Sequence, residues 1–375
     1  MAPARIRAYN FARELQRRGV KAEVLSFVDD FLAPEGVAYI PRNDWPAMDR
    51  YTLGKVLAMQ EAIALNLHCP VVAQKADLNL FAMAMAGSLN GNKLILDYDD
   101  NDVEVFFASH RVADRIDDFH PRHVLQHFAE KADCCIASSH SLHEMLHAFN
   151  PQTHLVYTVV DTEIFDYGLR AKAVPIDGID PGKVNLIWPG SVWNEEMTQD
   201  VLLIAEAFLS MPETVRAKAV LHFYGFGGGW PTAAAIIEDM MNTRGAMGQI
   251  KLNSAVAPDA MPGIMAHMDI GLICLQYNRY TRAKSPTKMF EYMAMGLAVC
   301  ASSTGEPGRI LEDGVTGVVA HDLRSYSEKL AHLIADAGFR QKIAAKGREL
   351  VNDRYTMRTA GDQLMAIFEP MMKAA

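Results

Sequence analysis

The stretch SPTKMFEYMAMGLAV, residues 285–299, decides how the rest of the chain is interpreted. It predicts a short loop, a helix over 287–295, a glycine that ends the helix and a buried strand over 298–301. Ser285 and Thr287 stand at the start of the helix and are candidate caps, because a hydroxyl can accept from the first free backbone N–H groups. A loop that leads into a helix and then a buried strand is typical of α/β proteins with parallel sheets.

Lys288 and Glu291 are three residues apart, so they share one face near the start of this helix. A helix N-terminus with a lysine beside it attracts anions. A glutamate one turn further can accept hydrogen bonds from a vicinal diol, as the acidic residue of dinucleotide folds does for ribose. Together the two residues suit a nucleoside diphosphate. From these residues alone, a Lys–Glu pair on the protein surface is the alternative.

The same alternation of helix and strand periodicity extends outward over most of the chain, which favours an α/β fold with mainly parallel sheets. A segment rich in glycine and proline over 166–183 interrupts the alternation and predicts a domain boundary. The predicted strands lie at 20–28, 71–73, 93–96, 134–137, 184–188, 219–224 and 298–301, and the predicted helices at 5–18, 47–67, 78–89, 198–209, 287–295 and 356–372.

The chain of 375 residues is long enough for two domains. We expect a first domain over 1–168, a second over 169–352 and a final helix over 353–375 that packs back on the first domain. Because the sequence opens on a predicted helix, where a nucleotide-binding half normally opens on a strand and a tight loop, the first domain is expected to lack its first strand. A truncated or misplaced start is the expected cause.

Charge and composition limit the function classes. A net charge of -9 disfavours nucleic acid as a partner, because its phosphates attract a basic surface. No stretch approaches the roughly 20 consecutive apolar residues that span a bilayer, so peripheral membrane contact is the form of membrane association left open. The five cysteines show no zinc spacing and have apolar neighbours, which predicts reduced thiols and a cytoplasmic protein; they are Cys69, Cys134, Cys135, Cys274 and Cys300.

Two further segments carry candidate site residues. Residues 97–102, Asp-Tyr-Asp-Asp-Asn-Asp, follow a predicted strand, and three interpretations are open for them: contact with a ligand, loop capping, or a divalent cation site. The glycine run 225–229 follows another strand and predicts either contact with a base or phosphate, or turn geometry alone.

The stretch from Ser285 resembles the signature of glycosyltransferase family 4 and its relatives, in which a motif close to S-P-x-K-x-x-E-Y-M-A-x-G-x-P-V-V-A precedes G-x-x-x-x-I-x-x-x-G-x-x-G. The second part matches Gly305, Ile310, Gly314 and Gly317. Weaker matches occur in the family's order at 5–19, 133–138, 159–165 and 261–275, so the resemblance covers most of the chain.

This resemblance implies a GT-B architecture, with two Rossmann-like domains that face an interdomain cleft and a last helix that crosses back to the first domain. It also implies transfer of a sugar from a nucleotide-sugar donor, such as a UDP- or GDP-sugar, to a glycan, lipid-linked or small-molecule acceptor. By the same resemblance, Glu291 would bind the ribose hydroxyls of the donor and Lys288 would lie beside its diphosphate. A retaining, metal-independent reaction without a cofactor, in bacterial surface polysaccharide assembly, is expected.

The chain departs from the family pattern at two places. The family's E-x7-E motif places a first glutamate where this sequence has Ala283, and the turn that begins at Gly190 and Ser191 lacks the arginine and lysine that grip the diphosphate in the family. Lys288 and Arg282 are therefore expected to compensate for the missing cations. The sequence belongs to a diverged subset if the resemblance holds.

The resemblance also supplies the remaining site predictions. Relatives with a similar turn show an acidic segment after the corresponding strand, which makes Asp99 and Asp100 candidates for catalysis or acceptor contact. Gly225 and Gly227 would line the nucleotide site. Two functions besides sugar transfer stay open: a non-catalytic module that binds a nucleotide sugar or a partner, and an epimerase or phosphorylase of GT-B type.

Overall fold

The computed structural model describes residues 5–24, 69–74, 92–101, 121–190, 192, 195–226 and 231–373. The helices predicted over 47–67 and 78–89 lie outside these ranges, as do Ser191 and Gly227. Contacts divide the chain into two units, Met1–Val156 with Ala360–Ala375, and Tyr157–Thr359. Each unit is built on its own parallel sheet, so the predicted α/β class with two Rossmann-like halves is confirmed.

The sheet of the first unit has four parallel strands in the order β1-β2-β3-β4 within the described ranges. Both central strands are buried at every residue, as parallel strands usually are; the strand over 134–137 is a continuous apolar run, and the strand over 94–98 is apolar except for Asp97. Residues 20–24 of the strand predicted over 20–28 form no strand. The strands are β1 Val71–Gln74, β2 Leu94–Tyr98, β3 Cys134–Ala137 and β4 Thr153–Leu155.

The first helix of this unit follows a π-helical turn, Arg5–Tyr9, where the sequence predicts one continuous α-helix. Arg18, just after the helix, pairs with Asp362 at 2.7 Å, which ties the last helix of the chain to the first. The helices that begin or end in this unit are α1 Asn10–Arg17, α2 Pro121–Lys131, α3 His140–His147 and the last helix, Met357–Lys373.

A buried ion pair holds the π-helical turn against the sheet. The Arg7 guanidinium, which has no exposed side-chain surface, donates to Asp97 through Nε and Nη2 at 2.7–2.9 Å. Its Nη1 donates to the Val156 carbonyl at 2.8 Å, and its guanidinium carbon lies 4.7 Å from the centre of the Phe11 ring. Both charges are therefore removed from water and compensated by each other.

Among its described residues, the second unit has a parallel sheet of six strands in the order β10-β9-β8-β5-β6-β7. The chain runs outward from β5 to β6 and β7 on one side, and then returns to build β8, β9 and β10 on the other. The order therefore reverses between β5 and β8. The strands are β5 Val184–Pro189, β6 Ala219–Phe226, β7 Ile250–Ser254, β8 Ile270–Ile273, β9 Ala298–Ser302 and β10 Val318–Ala320.

Helices cover both faces of this sheet, and two apolar clusters lie between the layers. No helix of the described residues is long and apolar enough to cross a membrane. The helices, numbered on from α3, are α4 Glu195–Leu209, α5 Glu213–Arg216, α6 Pro231–Thr243, α7 Met261–Met265, α8 Thr287–Ala294, α9 Pro307–Ile310, α10 Leu323–Ala335, α11 Ala337–Arg354 and α12, the last helix, Met357–Lys373.

The segment over 166–183, which the sequence predicts as the domain boundary, lies within the second unit, and the division falls earlier, between Val156 and Tyr157. The reason is packing, because Phe165 and Leu169 lie against the apolar cluster of this unit. Arg170 also donates to the Met268 carbonyl at 2.8 Å. The glycines and prolines of this segment thus indicate irregular backbone, whereas its apolar side chains determine that the segment belongs to the second unit.

Candidate functional site

Helix α8 is fixed on the sheet by its buried face. Met289, Phe290 and Tyr292 are fully buried, and the Tyr292 hydroxyl donates to the Leu272 carbonyl of β8 at 3.3 Å. A Cβ at Gly271 would overlap the Tyr292 ring, so glycine at that position lets the helix approach the strand. The opposite side of the helix carries Lys288 and Glu291, whose positions are therefore set by the packing below them.

The helix begins without a side-chain cap, so the prediction that Ser285 or Thr287 caps it is wrong. Its N-cap is Pro286. The Thr287 hydroxyl instead donates to the Thr158 carbonyl at 3.3 Å and lies 3.4 Å from the Ser285 hydroxyl. Because no side chain of this segment accepts from the first turn, its N–H groups and positive dipole end remain suited to an anionic ligand.

Lys288 reaches from α8 to the end of β5. Its Nζ lies 4.5 Å from the centre of the Trp188 ring, a cation–π contact. A Cβ at Gly190 would lie 2.8 Å from the same Nζ and 2.6 Å from a Trp188 ring carbon. Since β5 and β8 flank the reversal of strand order, Lys288 and Gly190 lie at the topological switch point, where open α/β sheets bind their ligands.

Burial shifts both ionisable groups of this helix towards neutrality. The pKa of Lys288 is lowered to about 8, mainly by desolvation and then by the like charge of Lys284, while Glu291 and Asp200 oppose the shift. The pKa of Glu291 is raised to about 7 by desolvation, and Lys288 limits the rise. The Asp200 carboxylate also accepts from the Gln276 N–H at 3.1 Å. Two half-buried ionisable groups with shifted pKa values on one helix face are typical of a functional site.

These pKa values predict how nucleotide binding depends on pH. Below about pH 7 Glu291 gains a proton and loses acceptor capacity, and above about pH 8 Lys288 loses its charge. We expect the affinity for a nucleoside diphosphate to be highest between these values and to fall on both sides. In Glu291→Gln the acid limb should disappear, and the alkaline limb should move to lower pH because Glu291 supports the charge of Lys288. Calorimetric titration from about pH 5.5 to about pH 9.5, a range that extends roughly 1.5 units beyond the two pKa values, tests this; identical profiles for both proteins would contradict it.

Replacement of Gly190 by alanine should damage the site. The added Cβ would lie within 2.8 Å of both the lysine nitrogen and the indole ring, so Lys288 must move away from the end of β5. We expect nucleoside diphosphate affinity to fall about 10-fold and the free energy of unfolding to fall by about 1–3 kcal/mol, the usual cost of overpacking. Titration calorimetry and denaturant unfolding measure the two effects.

Gly263→Ala is the matched control, because a Cβ there meets no atom within 4 Å and its backbone has no positive φ. It should leave nucleotide affinity unchanged. Equal affinity of the Gly190 and Gly263 variants would show that Gly190 is not part of the binding site.

The loop between β8 and α8 adds cations to this edge of the sheet. The Arg282 guanidinium lies 5.7 Å from the centre of the Tyr277 ring, and the Lys284 Nζ lies 4.9 Å from that of Tyr280. Ala283, between the two cations, is buried with 1% exposure. Arg282, predicted as a ligand residue, therefore lies on the loop that leads directly into the Lys288 helix.

Of the two predicted glycines, the structure describes Gly225, which lies within β6. It has a φ of 107°, and the pairing of β6 with β7 shifts register between Tyr224 and Phe226, so glycine is needed for this bulge. The Gly190 N–H donates to the Tyr224 carbonyl at 2.9 Å, which brings the ends of β5 and β6 together. Contact of Gly225 with a ligand stays a prediction.

The acidic segment that begins at the end of β2 belongs to the first unit. Asp97 is the partner of Arg7, and the Asp99 carbonyl accepts from the Ser138 hydroxyl at 2.9 Å. Asp99 is buried and Asp100 half-buried. Within the ranges that the structure describes, no three metal-ligating side chains converge. The catalytic roles predicted for Asp99 and Asp100 stay predictions.

Three residues of the site escaped the sequence analysis: Trp188, Lys284 and Asp200. Trp188 lies two positions before Gly190, at the carboxyl end of a buried strand. An aromatic residue at the carboxyl end of a parallel strand could have identified it as a site residue from the sequence. Lys284 lies in a cation-rich loop. Asp200, on α4, meets Lys288 only through the tertiary fold, and no local pattern indicates it.

The glycosyl transferase-like family model matches residues 209–366, which include α8 and its loop. A D-inositol 3-phosphate glycosyltransferase from Nocardiopsis dassonvillei is 22% identical over 245 residues, 64% of this chain and 56% of that protein. An alpha-D-kanosaminyltransferase from Streptomyces kanamyceticus is 22% identical over 35% of this chain and 33% of that protein. The chain thus spans about half the length of the first relative and a third of the second.

Solved structures share the fold. A sucrose-phosphate synthase from Thermosynechococcus elongatus aligns over 99% of this chain and 94% of its own, with a TM-score of 0.73 and 16% identity. The Anabaena protein HepE, solved with UDP and glucose, aligns over 84% of this chain and 82% of its own, with a TM-score of 0.63 and 14% identity. Residues 209–366 match the glycosyl transferase-like family model, and the chain has the GT-B fold of the glycosyltransferases that it resembles.

Proposed function

We propose that the protein transfers a sugar from a nucleotide-sugar donor to an acceptor hydroxyl, and that the donor binds at Lys288 and Glu291. The observation that carries this proposal is the position of Lys288 beside Gly190 at the switch point of the second sheet, with Glu291 on the same face of α8. The HepE structure with UDP and glucose, and the similarity to two glycosyltransferases, support a nucleotide sugar as the donor.

Each group has a role that its chemistry suits. Lys288 and the uncapped start of α8 would bind the diphosphate, and Glu291 would accept from the ribose hydroxyls. When the bond between the anomeric carbon and the diphosphate oxygen breaks, negative charge grows on the leaving group and positive charge on the sugar. Lys288, fixed beside Trp188 at 4.5 Å, would stabilise the leaving group without having to reorganise. The acceptor oxygen then bonds to the anomeric carbon, and its proton passes to the leaving diphosphate or to solvent.

The finer features of the proposal follow the resemblance to glycosyltransferase family 4. We propose a retaining and metal-independent reaction on a glycan, lipid-linked or small-molecule acceptor. Proton NMR of the product gives the anomeric configuration, and turnover in the presence of a chelator tests independence from metal. An inverted product, or turnover that the chelator abolishes, would contradict these features.

A screen of nucleotide sugars tests the reaction itself. Uridine, guanosine and adenosine diphosphates are first compared by the rise in melting temperature, because a ligand of the folded state stabilises it by mass action. Nucleotide sugars with the preferred base are then tested for transfer and for slow hydrolysis. Binding by none of the three diphosphates would overturn the donor site.

A second candidate is a module that binds a nucleotide sugar without turning it over. The observation that favours it is the buried Ala283, which places no carboxylate where the E-x7-E motif has its first glutamate. Binding of nucleoside diphosphate with neither transfer nor hydrolysis over the whole panel would favour this candidate over catalysis.

A further inference from the structure

The loop between β8 and α8 is the most positive segment near the proposed site. Between residues 275 and 291 the chain has four cations and one carboxylate, although the whole protein carries a net charge of -9. The cations are Arg279, Arg282, Lys284 and Lys288, and the carboxylate is Glu291. Such a concentration of one sign in an acidic protein attracts a ligand of the opposite sign.

Internal hydrogen bonds hold this loop in one conformation. The Thr281 N–H donates to the Asn278 side chain at 2.8 Å, and the Thr281 hydroxyl donates to the Gln276 carbonyl. Gly305, with a φ of 70°, lies close under the loop, where a Cβ would come within 3.1 Å of the Thr281 and Arg282 carbonyls. The cations of the loop are therefore carried on a backbone that is already ordered.

Burial alternates along the loop and directs two of these cations outward. Thr281 and Ala283 are 2% and 1% exposed, whereas Arg282 and Lys284 are partly exposed. Within the described part of the chain, the side-chain contacts of both cations are with tyrosines: the Arg282 Nη1 lies 3.4 Å from the Tyr277 hydroxyl, and Lys284 lies over Tyr280 at 4.9 Å. An aromatic ring orients a cation but leaves its charge uncompensated.

The like charge of Lys284 contributes to the lowered pKa of Lys288, so these two cations repel each other. An anion shared by this cluster would relieve the repulsion. Lys288 and the uncapped start of α8 suit the diphosphate of the proposed donor, and Arg282 and Lys284 add two further cations on the loop that leads into this helix.

We infer that Arg282 and Lys284 bind a second anionic group, a carboxylate or phosphate carried by a sugar, next to the diphosphate site. The inference rests on the proposed function and adds to it a preference for charged sugars. The group can be part of the donor sugar, as in a nucleotide hexuronate, or part of the acceptor, as in a sugar phosphate. Both sources present the same chemistry to the two cations.

The test for a donor anion compares a hexose with its hexuronate on the base that the diphosphate screen selects; for uridine these are UDP-glucose and UDP-glucuronate. Dissociation constants are measured by calorimetry for the wild type, for the double variant Arg282→Gln/Lys284→Gln, and for Arg324→Gln, an exposed cation elsewhere in the same unit. We expect the wild type and Arg324→Gln to bind the hexuronate about 10-fold or more tightly than the hexose. The double variant should lose this preference. Because the preference is a ratio of two dissociation constants with the same nucleotide, any contribution of Arg282 to diphosphate binding cancels from it.

The test for an acceptor anion uses glucose 6-phosphate and glucose, titrated into protein saturated with the same nucleoside diphosphate. Selective binding of the sugar phosphate by the wild type, lost in the double variant, would support the inference with the acceptor as the source. If the nucleotide binds, but the wild type prefers neither the hexuronate over the hexose nor the sugar phosphate over glucose, the inference is overturned and the proposed function stands. If no nucleoside diphosphate binds to the wild type, both fail together.

Discussion

Replacement of Lys288 by methionine is expected to reduce nucleoside diphosphate affinity by about 10–100-fold, because a charge-assisted contact with the ligand is lost in a half-buried position. Turnover should fall further, on the order of 100-fold, since the lysine also stabilises charge that develops as the sugar leaves. Methionine keeps the length and the apolar contact with the Trp188 ring, which the lysine Nζ approaches to 4.5 Å. The effect therefore reports the charge rather than the packing.

Two controls make this result specific. Lys346→Met removes an exposed cation of the same unit, one that pairs with Glu349 at 2.6 Å, and should change neither affinity nor turnover. Lys288→Arg keeps the charge but places a larger group against Gly190, so partial activity is expected. Calorimetry and a donor hydrolysis assay give the two quantities. Wild-type affinity in Lys288→Met would remove the lysine from the diphosphate site.

Replacement of Arg7 by methionine is expected to have the largest effect on stability. It leaves the Asp97 carboxylate buried without the guanidinium that now lies 2.7 Å away, and the loss of one partner of a buried pair costs about 3–5 kcal/mol. It also removes the donor to the Val156 carbonyl. Because the chain has two units, the free energy should be read locally, from hydrogen exchange of the β2 amides.

The double variant Arg7→Met/Asp97→Asn separates charge from packing. It removes both charges, so part of the loss should be recovered. Arg13→Met, at an exposed arginine of α1 that bonds to Asn10, is the control and should leave the exchange of β2 unchanged. An Arg7→Met protein with wild-type exchange in β2 would show that the ion pair contributes nothing to the first unit.

The sequence predicts the parallel strands well where they are continuous apolar runs. The strand over 134–137 coincides with β3, and the strand over 298–301 differs from β9 by one residue. Both strands are buried on two faces, so each appears in the sequence as a run of consecutive apolar residues that can be recognised without knowledge of the rest of the chain. The placement of Lys288 and Glu291 on one face of a short helix follows equally from spacing alone.

The features that sequence reasoning missed all depend on contacts between distant residues. Arg7 and Asp97 are 90 positions apart, and nothing local distinguishes Asp97 from the carboxylates that follow it. The approach of Lys288 to Trp188 and Gly190 depends on the order of the strands, which brings the ends of β5 and β8 together. The caps predicted at Ser285 and Thr287 failed because the helix begins at Thr287 with Pro286 at the N-cap position, so neither hydroxyl occupies the position from which a side chain caps the helix.

A crystal structure of the full chain with the nucleoside diphosphate that binds most tightly is the most direct test of the donor site. We predict the diphosphate within hydrogen-bond distance of the Lys288 Nζ and the first turn of α8, and a ribose hydroxyl that donates to the Glu291 carboxylate. A nucleotide bound elsewhere, with Lys288 still resting on Trp188 and no phosphate near Gly190, would contradict the account.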